Sequence, residues 1–179
     1  DKVMIGNPHP DYIYSIQVNL EYKGLFLNFV GTGNAGHQVA NSYRIIGNGQ
    51  RDNRTTDILS ESWTGPGTSN RFPRIQYSPH RNTLNISDLY IEDADYFRIS
   101  NLTIGYDLSQ GIKGIPFEQT RVYFSVKNLA TFTKYKGMDP EVGYHPETND
   151  GNEYPWASGI DLGLYPIART FLVGLSVTF

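Results

Sequence analysis

The sequence contains no cysteine, which excludes disulfides, thiolate metal sites and thiol nucleophiles. It also lacks any apolar run of the roughly 18 residues that a membrane-crossing helix requires, so a helical membrane bundle is excluded. Charged residues are scarce at 18%, and the formal net charge of −3 gives no general basic footprint for nucleic acid. No GxSxG, P-loop or HExxH pattern occurs, and those patterns carry the commonest hydrolytic, phosphoryl-transfer and zinc chemistry. His9, His37, His80 and His145 are scattered without metal-ligand spacing. Asp139, Glu141, Asp150, Asn152 and Asp161 are rich in oxygen, but no calcium-loop spacing links them. Asp139-Pro140 reads instead as the start of a turn. The expectation is therefore no enzyme, no cofactor and no metal.

What the sequence does have is aromatic residues, with 13 Tyr, 9 Phe and 2 Trp among 179 residues. Disordered chains lack them. Their richness beside a mean hydropathy of −0.42 fits strands that are apolar on one side only. The clearest strand is about 11–22. Tyr12, Tyr14, Ile16, Val18, Leu20 and Tyr22 occupy every second position, with Ile13, Ser15, Gln17, Asn19 and Glu21 between them. Alternate side chains of a strand point to opposite faces, so one face is continuously apolar. The run has the length of a tilted transmembrane strand, about 9–11 residues. Tyr at both ends suits a membrane interface, because its ring is apolar and its hydroxyl polar.

Four more strands are predicted, at about 25–39, 94–108, 119–133 and 168–179. In the third, Leu102, Ile104 and Tyr106 share one parity and Phe97 and Ile99 the other. Either a bulge near Ser100-Asn101 restores the phase, the reading favoured here, or Phe97 and Ile99 point to the polar side. In the fourth, Val122, Phe124 and Val126 alternate with Arg121, Tyr123, Ser125 and Lys127. In the last, Phe171, Val173, Leu175, Val177 and Phe179 alternate with polar and small residues. Lys23-Gly24 is a tight turn and 109–118 a short connection, whereas about 40–90 and about 134–167 are long loops. A short helix is plausible at 54–63, ended by Gly65-Pro66.

Short and long connections thus alternate. In an antiparallel meander both long loops fall at one end of the sheet, the asymmetry of outer-membrane barrels with short periplasmic turns and long external loops. Five strands do not close such a barrel, which takes about eight or more, and open edges in lipid are costly. The chain, which starts without Met and finishes inside a strand pattern, is therefore expected to be a C-terminal or cleaved part of a larger barrel.

Several segments of the chain carry a distinctive spelling. They are Ile5-Gly6-Asn7-Pro8-His9-Pro10 before Tyr12, and Glu92 to Tyr106 (EDADYFRISNLTIGY). Next come Arg121-Val122-Tyr123 through Asn128-Leu129 with Thr131 to Tyr135 (TFTKY), and Gly137 to Val142 (GMDPEV). The last is Tyr165-Pro166-Ile167-Ala168-Arg169-Thr170-Phe171 through Phe179. Together and in this order these segments resemble those of SusC/RagA-type TonB-dependent transporters, with Ala94, Asp107 and Ile167 departing from that family's commonest spelling.

The resemblance implies an all-β fold, a fragment of about five C-terminal strands of an antiparallel transmembrane barrel of about 22 strands with a plugged lumen. It implies a bacterial outer-membrane location, a SusD-type lipoprotein lid, a TonB complex acting through an absent N-terminal part, and oligosaccharide or oligopeptide cargo. In that setting Tyr12, Tyr14, Ile16, Val18, Leu20, Tyr22, Phe171, Val173, Leu175 and Val177 face lipid. Ser15, Gln17, Asn19, Glu21, Arg121, Ser125 and Lys127 face the lumen. Trp63, Tyr144, Tyr154 and Trp156 are loop candidates for substrate contact, against the alternative of loop packing or lid contact. Phe179 resembles a terminal assembly signal, or is an interface aromatic. Arg44, Arg51, Arg54, Arg71, Arg74 and Arg81 make a locally basic loop that suits lipopolysaccharide or anionic ligands, or that simply bonds its own backbone. Two other readings stay open: a siderophore or cobalamin receptor, and a soluble β-sandwich carbohydrate-binding module with a core between its sheets.

Overall fold

The structure is a computed structural model, and it describes residues 3–42, 56–75, 87–112, 117–142, 159–163 and 165–179. They form two compact units.

The first unit to consider holds residues 10–36, 95–134 and 166–179. It is a five-stranded, wholly antiparallel sheet of β1 (Tyr12–Tyr22), β2 (Leu25–Ala35), β5 (Tyr96–Asp107), β6 (Gln119–Thr133) and β8 (Thr170–Thr178), in the order β1-β2-β5-β6-β8. Lys23 and Gly24 join β1 to β2 with φ of 49° and 85°. Positive φ at both central residues gives a turn whose twist matches that of the flanking strands. A single helical turn, α2 (Leu108–Gly111), follows β5, capped by the Asp107 carboxylate, which accepts from Ser109 N.

The register carries the parity of β1 across the whole sheet. Val18 faces Phe29, Phe29 faces Leu102, Leu102 faces Val126 and Val126 faces Phe171. The phase problem in the third strand is resolved by a bulge. The register shifts between Val30/Gly31 on β2 and between Ile99/Asn101 on β5. This returns Phe97 and Ile99 to the face of Leu102 and Ile104. On β6 the same level is taken up by Asn128, whose φ of 53° lies in a region that Asn tolerates better than most residues.

The second unit, residues 1–9, 37–94 and 135–165, contains β3 (Gln38–Asn41), α1 (Thr56–Ser60), β4 (Ile91–Asp93) and β7 (Ile160–Asp161). The strands form a small sheet in the order β4-β3-β7, antiparallel between β3 and β4 and parallel between β3 and β7. Here the structure departs from the expected single strand over 25–39. Gly36, at φ 83°, ends β2, and residues 38–41 pair with another sheet. Both segments expected to be long loops therefore carry secondary structure.

A small core of Val39, Ala94 and Tyr135, joined by Val142, holds this unit. Beside it lie buried polar groups. The carboxylate of Asp161, 1% exposed, accepts from the Tyr135 hydroxyl at 2.6 Å and from Gly163 N at 2.9 Å. Ser42 donates to its backbone carbonyl. In residues 56–75, α1 leads into a bridge between Ser62 and Phe72. That bridge is tightened by Trp63 N donating to Phe72 O at 2.9 Å and by an Arg71–Glu61 ion pair.

Candidate functional site

The candidate site is the five-stranded sheet itself, with one face apolar throughout and the other mostly polar, though Ile13, Phe26, Val30, Tyr123 and Leu172 share it. One carries all ten residues expected on the apolar side: Tyr12, Tyr14, Ile16, Val18, Leu20 and Tyr22 of β1, and Phe171, Val173, Leu175 and Val177 of β8. Between them the register adds Leu25, Leu27 and Phe29 of β2, then Leu102, Ile104 and Tyr106 of β5, then Val122, Phe124, Val126 and Phe132 of β6. No charged side chain interrupts this set. The face is not a sandwich interior, because Tyr12 is 72% and Tyr22 69% exposed, and every residue of β1 is exposed.

The opposite face carries Ser15, Gln17, Asn19, Glu21, Arg121, Ser125 and Lys127. The sequence reading missed their partners on β2 and β5. Asn28 Nδ2 donates to Asn19 Oδ1. Asn101 Nδ2 donates to Asn28 Oδ1 at 3.1 Å and to Thr103 Oγ1 at 3.2 Å. Ser125 Oγ donates to Asn101 Oδ1 at 3.1 Å and lies 2.8 Å from Thr103 Oγ1. Uncharged amides and hydroxyls thus form a continuous hydrogen-bonded band across four strands.

Nearer the short turns the face is charged. The Asp107 carboxylate accepts from Gln119 Nε2 at 2.8 Å and Arg121 Nε at 3.5 Å. Arg121 Nη2 also lies 3.7 Å from Glu21 Oε1, and its guanidinium sits 5.3 Å from the centre of the Phe26 ring. The signal for Asn28, Asn101 and Thr103 was their shared parity. Phe26 and Val30 on the same side of β2 blurred it.

Replacing Asn101 with Ala should lower the unfolding free energy of the assembled protein by about 1.5–4.5 kcal/mol, since it removes three hydrogen bonds that contribute about 0.5–1.5 kcal/mol net each. Urea titration in lipid vesicles reads this directly. An unchanged midpoint would mean that water replaces the band without loss.

Of the four loop candidates, Trp63 is among the described residues. Trp63 is 37% exposed and its backbone is fixed by Phe72. Tyr144, Tyr154 and Trp156 lie outside the described residues, as do Arg44, Arg51, Arg54 and Arg81. Phe179 is 87% exposed, with its ring edge-on to Phe117 at 5.0 Å between centroids. Asp139 accepts from Glu141 N at 2.9 Å, the turn role read for it. Among the described residues, no group of three His, Asp or Glu side chains is placed to hold a metal.

No family model matches the chain. Comparison with known proteins does place it. The TonB-dependent receptor P3 of Formosa agariphila is 34% identical over the full chain, which spans 17% of that protein. The TonB-dependent receptor SusC of Bacteroides thetaiotaomicron is 30% identical, again over the full chain, which spans 16% of it. The chain thus corresponds to about a sixth of the length of these relatives. Among solved structures, the RagAB peptide transporter superposes with a TM-score of 0.73 at 23% identity, over 96% of this chain and 17% of that one. The RagAB peptide importer in its closed-closed state gives 0.72 at 24% identity, over 96% and 18%. That likeness is one of fold. The full-chain matches carry the assignment: the chain, with the fold of a stretch of barrel wall, belongs to the TonB-dependent receptors, with SusC among its relatives.

Proposed function

We propose that this chain is wall, lumen surface and external loop of an outer-membrane importer driven through TonB. The observation that carries the reading is the unbroken apolar face across all five strands, backed by a hydrogen-bonded polar face. A water-soluble sheet would bury that apolar face against a second layer, and β1 remains exposed throughout. The dimensions agree. Eleven residues of β1 span about 34 Å, which a tilt of about 40° reduces to about 26 Å, matching the apolar band of about 25 Å on such barrels. Tyr12, Tyr14, Phe97 and Phe132 gather toward one end of the apolar face, and Tyr22, Tyr106 and Phe179 toward the other, as interface belts do.

In this reading the Tyr12–Tyr22 and Phe171–Val177 rows face lipid, and Ser15, Gln17, Asn19, Glu21, Arg121, Ser125 and Lys127 face the lumen. Residues 36–95 and 134–169 lie outside the cell, where lipopolysaccharide surrounds the barrel. Cargo is an oligopeptide or oligosaccharide held between the barrel and a SusD-type surface lipoprotein. It is released inward when TonB remodels the plug contributed by the rest of the receptor. Trp63, Tyr144, Tyr154 and Trp156 are its candidate contacts, and Phe179 the candidate assembly signal. The family relationship to SusC and the fold shared with a peptide importer support this cargo class over a siderophore or cobalamin.

The test is purification of the whole receptor from native outer membranes, with mass analysis of bound lipoprotein and ligand, beside uptake in cells lacking TonB. A detergent-dependent complex carrying a lipoprotein and a glycan or peptide, with uptake lost without TonB, is expected. A receptor soluble without detergent, or uptake indifferent to TonB, would overturn the proposal.

A further inference from the structure

Four aromatic rings of the five-stranded sheet lie over glycines of a neighbouring strand. A Cβ on Gly33 would stand 2.5 Å from the Tyr14 ring and 2.5 Å from the Tyr96 carbonyl oxygen. Gly105 lies under the Phe26 ring, and its Cβ would meet the Val122 carbonyl oxygen at 2.7 Å. Gly31 lies under Phe97, and Gly174 under Tyr123. Tyr14, Gly33 and Phe97 share one row across β1, β2 and β5. The Tyr14 and Phe97 rings are parallel within 2°, with centroids 6.3 Å apart. The Tyr14 hydroxyl donates to Tyr96 O at 3.2 Å, so one side chain straps β1 to β5 over a glycine of β2.

These pairs answer a problem that the alternating pattern leaves open. A one-residue slip between strands puts every side chain on the wrong face and is strongly disfavoured. A two-residue slip returns every side chain to its own face, so the apolar pattern barely distinguishes the two registers. A two-residue turn removes the ambiguity between β1 and β2. No short turn does so between β2 and β5, separated by residues 36–95, or between β6 and β8, separated by residues 134–169. Three of the four ring–glycine pairs bridge these strands: Phe97–Gly31 and Phe26–Gly105 between β2 and β5, on opposite faces and near opposite ends, and Tyr123–Gly174 between β6 and β8.

We infer that the ring-over-glycine pairs are the register keys of the strands that the long connections leave free. A two-residue slip of β5 along β2 moves the Phe97 ring over Gly33, already covered by Tyr14, or against the side chain of Phe29. The same slips set Phe26 opposite Thr103 or Asp107 in place of Gly105. Neither register has a socket for the rings.

Cysteine pairs in the otherwise cysteine-free stretch read the register of the whole receptor during assembly in its membrane. Leu27→Cys with Ile104→Cys reports the native register, in which these residues are direct partners. Leu27→Cys with Leu102→Cys or with Tyr106→Cys reports the two slipped ones, because diagonal neighbours about 7–8 Å apart are beyond disulfide reach. With the rings intact only the native pair should bridge. With Phe26→Ala and Phe97→Ala together, slipped bridging should rise at least tenfold above background. Exchanging ring and socket, by Phe97→Gly with Gly31→Phe, should restore the native bridge, because the atoms nearest a Cβ on Gly31 belong to the Phe97 and Phe29 rings and not to backbone. Slipped pairs that stay at background after ring removal would overturn the inference. Should the ring-deleted receptor fail to assemble, the exchange decides. An exchanged receptor that assembles no better than Gly31→Phe alone overturns it, and recovery of the native bridge supports it.

Discussion

Arginine in place of Val18 should leave most of the receptor unassembled, whereas arginine in place of Gln17, one position away, should be carried almost without loss. Val18 lies midway along β1 on the apolar face, opposite Phe29. A Lys or Arg there on the lipid side of a barrel costs about 2–4 kcal/mol at the bilayer midplane, a factor of about 30 to several hundred in the folding equilibrium. Gln17 points to the polar face, where Arg121, Glu21 and Lys127 are already accommodated. Ile16, Leu175 and Val177 should behave like Val18, with smaller losses nearer the strand ends. The measurement is urea titration in vesicles, with the fraction of heat-modifiable receptor in cells as a second readout. Equal losses at positions 17 and 18 would remove the lipid-facing assignment, and the importer reading with it.

Removing the Asp161 carboxylate should loosen the small sheet of the second unit. In Asp161→Ala the Tyr135 hydroxyl and Gly163 N both lose their acceptor. Stranding a buried polar group costs about 1–3 kcal/mol, so the buried hydroxyl and the part-buried Gly163 N together cost at most about 2–6 kcal/mol. Tyr135→Phe removes the hydroxyl with its bond and should cost no more than about 1–3 kcal/mol. The loss is local, because units of this kind open independently of global unfolding. Hydrogen exchange at the amides of β3 is the appropriate probe, and it should accelerate far more in Asp161→Ala than in Tyr135→Phe. Unchanged protection in both would mean that the core of Val39, Ala94 and Tyr135 holds the sheet without this carboxylate.

How much of this was legible in the sequence follows from how local each signal is. β1 and β8 alternate so strictly that their faces could be read residue by residue. A bulge near Ser100-Asn101 could be proposed because Phe97 and Ile99 fell out of step, but its counterpart at Asn128 left no mark beyond a residue that tolerates positive φ. The end of β2 was misjudged, since Val39 continues an apolar pattern that Gly36 interrupts in space. The buried role of Asp161 was hidden for a different reason. Its two-residue strand pairs with Asn41, 120 positions earlier, and nothing in the intervening sequence announces that partner. The band through Asn28, Asn101 and Thr103 is likewise a product of register, which alternation specifies only up to a shift of two.

In the proposed importer the bulge has a consequence for the outer end of the wall. At one level of the sheet β5 carries one residue more than β2, and β6 one more again than β5. Added backbone at a single height bends the strands and sharpens their twist. The last rows, Tyr96 to Ile99 and Ala130 to Thr133, are therefore aimed separately from the shaft below, as a rim is turned on a vessel. In the proposed orientation, insertions and deletions in the long connections can then alter what the rim presents without propagating strain into the strands below.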